Sequence, residues 1–131
     1  MKKKMPQETI RLVDRFMNVL RSQKDFGRVE FVILYGSAAE GRALKSSDID
    51  LCIYYAGDRK QQASFRERLL RLLPARFDIQ IFQEIPLYVR KNVLRGKEVY
   101  AKDNGFMYDT LTNTIKDYET FRPKLMQYVG G

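Results

Sequence analysis

The sequence contains no histidine and a single cysteine, Cys52, in 131 residues. The first absence excludes His-ligated zinc, Ser-His-Asp nucleophile activation and imidazole acid/base chemistry. The second excludes an internal disulfide and points to a reducing compartment, the cytoplasm, rather than to secretion. No apolar run approaches the roughly 18 residues that a membrane span requires. The basic opening, MKKKMPQETIRLVDR, has no apolar stretch behind it and reads as a solvated terminus rather than a secretion signal. Internal repeats, low-complexity tracts and linkers rich in Gly, Ser or Pro are also missing, so residues 1–131 read as one domain. A chain of this length buries roughly two thirds of its unfolded surface and holds a core without staples. Any catalysis falls to carboxylates, hydroxyls, lysines or a bound hard metal.

Charge is plentiful and unevenly placed. The whole chain carries 24 Lys and Arg against 16 Asp and Glu, a net charge of +8. Residues 1–28 sum to +5 and residues 56–97 to +6, whereas residues 29–55 sum to −2 and residues 98–131 to −1. An acidic segment between basic flanks suits either an ordinary soluble basic protein or one that holds a polyanion through a cation.

Periodicity gives the elements. Residues 7–24 place Ile10, Val13, Met17 and Leu20 at helical spacing behind Pro6, which predicts an amphipathic first helix. VEFVILY (29–35) is β-branched, aromatic and short, as in a buried strand. GSAAEGRALKSS (36–47) predicts a turn or short helix, and DIDLCIYY (48–55) a second strand ended by Gly57-Asp58. Phe65, Leu69, Leu72 and Leu73 mark a helix over 61–73 stopped by Pro74, and FDIQIF (77–82) alternates as a third strand. A short helix from Pro86 to a Gly96 cap, a KEVYA edge strand (97–101) and a long helix from about Tyr108 follow, the last with Leu111, Ile115, Tyr118, Leu125 and Val129 along one seam. The predicted class is α/β or α+β: a small mixed sheet flanked by helices, with a long C-terminal helix.

Three features carry chemistry: Gly36-Ser37 after the first strand, Asp48 and Asp50 opening the second, and Asp78 in the third. Aspartate is depleted in strands because a short charged side chain packs poorly on a pleated surface. A period of two puts Asp48 and Asp50 on one face and Asp78 on a face with Gln80. Were the two strands neighbours, three carboxylates would converge with no Lys or Arg in either strand to neutralise them. All-oxygen donors of that kind select Mg²⁺ or Mn²⁺. Gly36 allows close backbone approach, and Ser37, as a helix N-cap, offers a hydroxyl and backbone N–H groups to phosphate oxygens. Carboxylates for metals beside N–H groups for phosphates is the layout of phosphoryl or nucleotidyl transfer. Cys52 reads as a small hydrophobe without a redox role, and the Arg-rich stretch 66–71 as a solvated face, so direct nucleic-acid binding is not expected.

GSAAEGRALKSSDIDL (36–51) resembles the signature of the DNA polymerase β nucleotidyltransferase superfamily: a hydrophobic strand, Gly-Ser, a spacer of about ten residues, then Asp-hydrophobic-Asp. The short chain and the SDIDL form are similar to its smallest members, the minimal nucleotidyltransferases. The resemblance implies the nucleotidyltransferase fold and activity, with ATP as substrate and two Mg²⁺ ions, or Mn²⁺, as cofactors. Gly36 and Ser37 would hold the triphosphate, Asp48 and Asp50 would ligate both metals, and Asp78 would complete the first metal and help activate the acceptor hydroxyl. Family members often carry a basic residue just before the spacer glycine. Here Glu40 stands there, with Arg42 after Gly41, which leaves Arg42 and Lys45 as candidate triphosphate-binding cations.

Minimal nucleotidyltransferases are commonly the antitoxin half of a pair whose partner is a helical HEPN toxin, and the transferase can add AMP to a tyrosine of that toxin. The resemblance therefore implies a HEPN-family partner and a hetero-oligomer. Two other functions suit the same residues: an antitoxin that neutralises its partner by contact alone, and a transferase acting on a small hydroxyl compound.

Overall fold

The structure is a computed structural model that describes residues 5–40 and 48–128, with side chains through Thr120. Its centre is a four-stranded sheet of β1 (Val29–Tyr35), β2 (Ile49–Tyr55), β3 (Phe77–Ile81) and β4 (Lys97–Ala101), in the order β3-β2-β1-β4. β1 pairs antiparallel with β2 and β4, while β2 and β3 are parallel. The expected mixed sheet is present, and KEVYA forms its expected edge. The helices are α1 (Gln7–Arg21), the one-turn α2 (Gly36–Ala39), α3 (Arg59–Leu72), α4 (Leu87–Val93) and α5 (Asn104–Tyr128). Among the described residues no helix is long and apolar enough to cross a membrane.

Alternation along the strands separates two packed layers. Val32 and Leu34 of β1, Leu51 and Ile53 of β2, and Ile79 and Ile81 of β3 join Phe16, Met17 and Leu20 of α1 and Phe65 and Leu69 of α3 in one cluster. On the other face Phe31, Ile33, Tyr35 and Cys52 meet Phe82, Val93 of α4 and Met107 of α5. Cys52 thus faces away from Leu51, as its strand position requires. It is wholly buried, and burial pushes its thiol pKa well up, which keeps the thiol protonated and unreactive.

The helix faces differ from the sequence expectation in three places. In α1 the buried stripe runs through Thr9, Phe16, Met17 and Leu20, and Ile10 is 39% exposed, because Thr9, two turns before Phe16, holds the position on that stripe. In α3 the chain turns extended at Leu73 ahead of Pro74, so Leu73 is buried while Leu72 is 52% exposed. In α5 Met107 and Thr114 are buried, with Leu111 and Tyr118 half-buried, and Ile115 is 48% exposed rather than part of the seam. Leu125 and Val129 lie outside the residues whose side chains are described. Two helices also begin earlier than periodicity alone predicts, and side-chain caps are the reason. Asp58 accepts from the Gln61 N–H while Gln61 bonds back to the Asp58 N–H, a capping box that opens α3. Asp103 Oδ1 accepts from the Gly105 and Phe106 N–H groups and opens α5.

At the end of the sheet where β2 finishes, one polar knot ties the segment after α1 to α3 and β2. Arg68 donates two bonds to Asp25, at 2.8 and 3.1 Å, and a third to Gln23 at 3.1 Å, while the Tyr55 hydroxyl donates to Asp25 at 2.7 Å. The Arg68 hydrogen bond, more than any other contact, holds the Asp25 carboxyl below its usual pKa. Such a group adds stability above its unfolded pKa of roughly 4 and loses it as pH falls through the lowered folded value. Arg68→Ala is therefore expected to cost about 1–2 kcal/mol at pH 7, the lower part of the range for a charged hydrogen-bonded pair because the site is partly exposed. Urea titrations of variant and parent across pH test this, and a gap that fails to shrink below about pH 4 would contradict it.

Candidate active site

The site residues sit where β1 ends and where β2 and β3 begin, a placement that follows from antiparallel β1/β2 and parallel β2/β3 pairing. Tyr35 is level with Asp50 across the first pair, and Asp50 is level with Asp78 across the second. The Asp50 and Asp78 side chains therefore lie side by side on one face of the sheet. Partial burial and the neighbouring carboxyl groups of Asp78 and Asp48 push the Asp50 carboxyl up to about 6. All of these influences raise it, and among the described residues no cationic group counteracts them. Asp48 lies just before β2 rather than inside it and is exposed, so it enters the site from the open side.

Gly36 completes the floor. Its φ is +72°, the left-handed region, and a Cβ placed there would overlap Asp50 Oδ2. Glycine is thus required twice, for backbone conformation and for space. Ser37 is not the N-cap that the sequence suggests: the short helix starts at Gly36, Tyr35 is its extended cap residue, and Ser37 falls within the first turn. The reason is that the Gly36 carbonyl, one residue before Ser37, already accepts a helical hydrogen bond, from the Glu40 N–H. First-turn N–H groups have no partner inside the helix, so backbone donors remain at this corner.

Two further residues belong to the site. Gln80 Nε2 donates to Asp78 Oδ1 at 3.0 Å, and Gln80 is level with Cys52 on the neighbouring strand. Its position two residues after Asp78 on the same face was a visible signal, because only that spacing lets the amide lie beside the carboxylate. Tyr35 is buried beside the pair, and burial together with the nearby Cys52, Asp50 and Asp78 raises its phenol pKa, so the hydroxyl keeps its proton. Arg42 and Lys45 fall in residues 41–47, outside the described residues.

Whether these groups suit a divalent cation follows from the donor set. Two carboxylates in contact, with Asp48 adjacent and only oxygen donors, match Mg²⁺ or Mn²⁺ and not a soft metal. Among the described residues no group of three or more His, Cys, Asp or Glu gathers tightly enough to cage an ion. An open pair that leaves positions for substrate oxygens fits a catalytic cation better than a structural one.

A family model described as polymerase beta nucleotidyltransferase matches residues 17–105. A Methanocaldococcus jannaschii protein named as a candidate protein adenylyltransferase is 35% identical over 72 residues, 55% of this chain and 55% of that protein. This chain thus spans about half the length of that relative. Among solved structures, a toxin–antitoxin complex with AMP-PNP contains a chain with a TM-score of 0.71 at 18% identity, covering 89% of this chain and 94% of the other. A complex of tri-AMPylated Shewanella oneidensis HEPN toxin with MNT antitoxin gives 0.68 at 16% identity, over 92% and 94%. A nucleotidyltransferase-type structure from Sulfolobus solfataricus gives 0.53 at 21% identity, over 79% and 93%. At these identities the structural matches establish a shared fold.

Proposed function

The chain belongs to the polymerase beta nucleotidyltransferase family, and from that premise we propose that it transfers AMP from ATP to a tyrosine hydroxyl of a HEPN-family toxin, as the antitoxin of a cytoplasmic pair. The observation that carries this is the Asp50–Asp78 pair held directly beside Gly36. The candidate adenylyltransferase relative supports AMP transfer, and the toxin–antitoxin complexes of the same fold support the partner.

In this proposal Asp48, Asp50 and Asp78 hold Mg²⁺, two ions by family resemblance, or Mn²⁺; the bound metal lowers the acceptor pKa and neutralises charge on the leaving group. Gly36 gives the triphosphate room against the backbone, and the first-turn N–H groups from Ser37 onward bind its oxygens. The acceptor oxygen attacks the α-phosphorus in line, the bond to the β-phosphate oxygen breaks, and pyrophosphate leaves. Asp78, on the acceptor side, takes up the hydroxyl proton. Arg42 and Lys45 are proposed triphosphate contacts on the grounds of charge and sequence position alone.

The test is incubation with the protein encoded by the neighbouring gene, α-labelled ATP and Mg²⁺. Label is expected on a partner tyrosine, and the Asp48→Asn plus Asp50→Asn variant is expected to transfer none. Undiminished transfer by that variant would sink the assignment. A double variant that still silences its partner without label would establish neutralisation by contact instead.

A further inference from the structure

Asp50 and Asp78 stand level on neighbouring strands, and Gln80 Nε2 donates to Asp78 Oδ1 at 3.0 Å. That bond uses an amide N–H and no carboxyl proton, so it is compatible with a cation on the same carboxylate. An ionised carboxylate only accepts, which fixes the amide with its NH₂ toward Asp78.

The strand under this bond is itself anchored. β3 is an edge strand, and the carbonyl of Ile79, between the two residues, accepts from Arg66 Nε of α3 at 2.6 Å. The backbone from Asp78 to Gln80 is therefore held from the helix side while the amide sets the carboxylate from the opposite face. We propose that Gln80 is a positioning residue for the metal-bound state: it fixes the Asp78 carboxylate so that one oxygen stays committed to the amide and the other is presented to the cation. This rests on the functional reading above only in assigning a cation to the pair. Groups that orient a metal ligand in this way are typically worth about 10- to 100-fold in metal affinity.

Gln80 also borders an open cleft lined by Ala63, Arg66 and Glu84, so replacing it leaves no sealed void. Gln80→Met keeps length and volume and removes the donor; Gln80→Ala removes both. Titration of Mn²⁺ alone into the full chain, followed by electron paramagnetic resonance, is expected to show about tenfold weaker binding in each variant. Melting temperatures in EDTA are expected to stay within a few degrees of the parent, which a merely structural role would not allow. Unchanged Mn²⁺ affinity in either folded variant, or no Mn²⁺ binding by the parent, overturns the proposal. A parent that binds Mn²⁺ with this dependence on Gln80 yet transfers no AMP overturns the functional reading and leaves this one standing.

Discussion

Asp50→Asn is expected to abolish AMP transfer while making the metal-free protein more stable at neutral pH. The two effects have one cause. Asp50 lies level with Asp78 and close to Asp48, and its carboxyl is pushed up from 3.8 to about 6 by burial and by those charges. A carboxyl whose folded pKa is raised binds its proton more tightly in the folded state, so its favourable contribution is complete below the unfolded pKa of roughly 4 and is lost as pH rises to about 6. Two pH units correspond to about 3 kcal/mol at most. Asp50 is only half-buried, and solvent screening reduces this to about 1–2 kcal/mol. Asparagine removes the charge and with it the penalty. In EDTA at pH 7.5 the variant should therefore resist urea better than the parent, and the advantage should vanish near pH 4. The loss of transfer should be on the order of a thousandfold or more, because no neighbouring donor replaces the missing carboxylate. A variant less stable than the parent at pH 7.5 would show that the pair is not a strained, cation-seeking site.

The sequence revealed this arrangement unequally, and the reasons are physical. VEFVILY occupies Val29–Tyr35 as expected because a β-branched, wholly apolar heptad has few alternatives to a central strand. The two-residue period put Asp78 on the face opposite Ile79 and Ile81, which is where it stands. Strand order was the missing quantity. Periodicity fixes faces but not neighbours, and only the parallel β2/β3 register brings Asp50 and Asp78 into contact. Periodicity places the starts of α3 and α5 two to four residues late because single side chains, Asp58 and Asp103, decide them. The helical spacing of Ile115 from Leu111 and Tyr118 predicts it on the seam of α5. Thr114 takes the buried place instead by returning its hydroxyl to the Thr110 carbonyl at 2.9 Å, so a polar side chain is satisfied within its own helix.

Gly36→Ala is the second substitution with a large expected effect, and it separates backbone strain from site geometry. At a φ of +72° an alanine costs about 1–2 kcal/mol in conformational energy alone. Its Cβ would also overlap Asp50 Oδ2, the contact that no rotation of Gly36 itself can relieve. Either Asp50 swings away from Asp78 or the turn into α2 opens, and both move a proposed metal ligand relative to the phosphate-facing N–H groups. A displacement of about 1 Å in such a site costs about a hundredfold in rate. Gly36→Ala is therefore expected to lower transfer at least a hundredfold while the chain remains folded and only about 1–3 kcal/mol less stable. Adding Asp50→Asn to it should not restore activity but should recover part of the stability, because the amide no longer carries charge into the crowded space. A double-mutant cycle of urea denaturation and label transfer measures both. Stability changes that simply add, the loss from Gly36→Ala and the gain from Asp50→Asn, would mean that residues 36 and 50 do not touch, and the close approach of the β1 turn to the carboxylate pair would have to be abandoned.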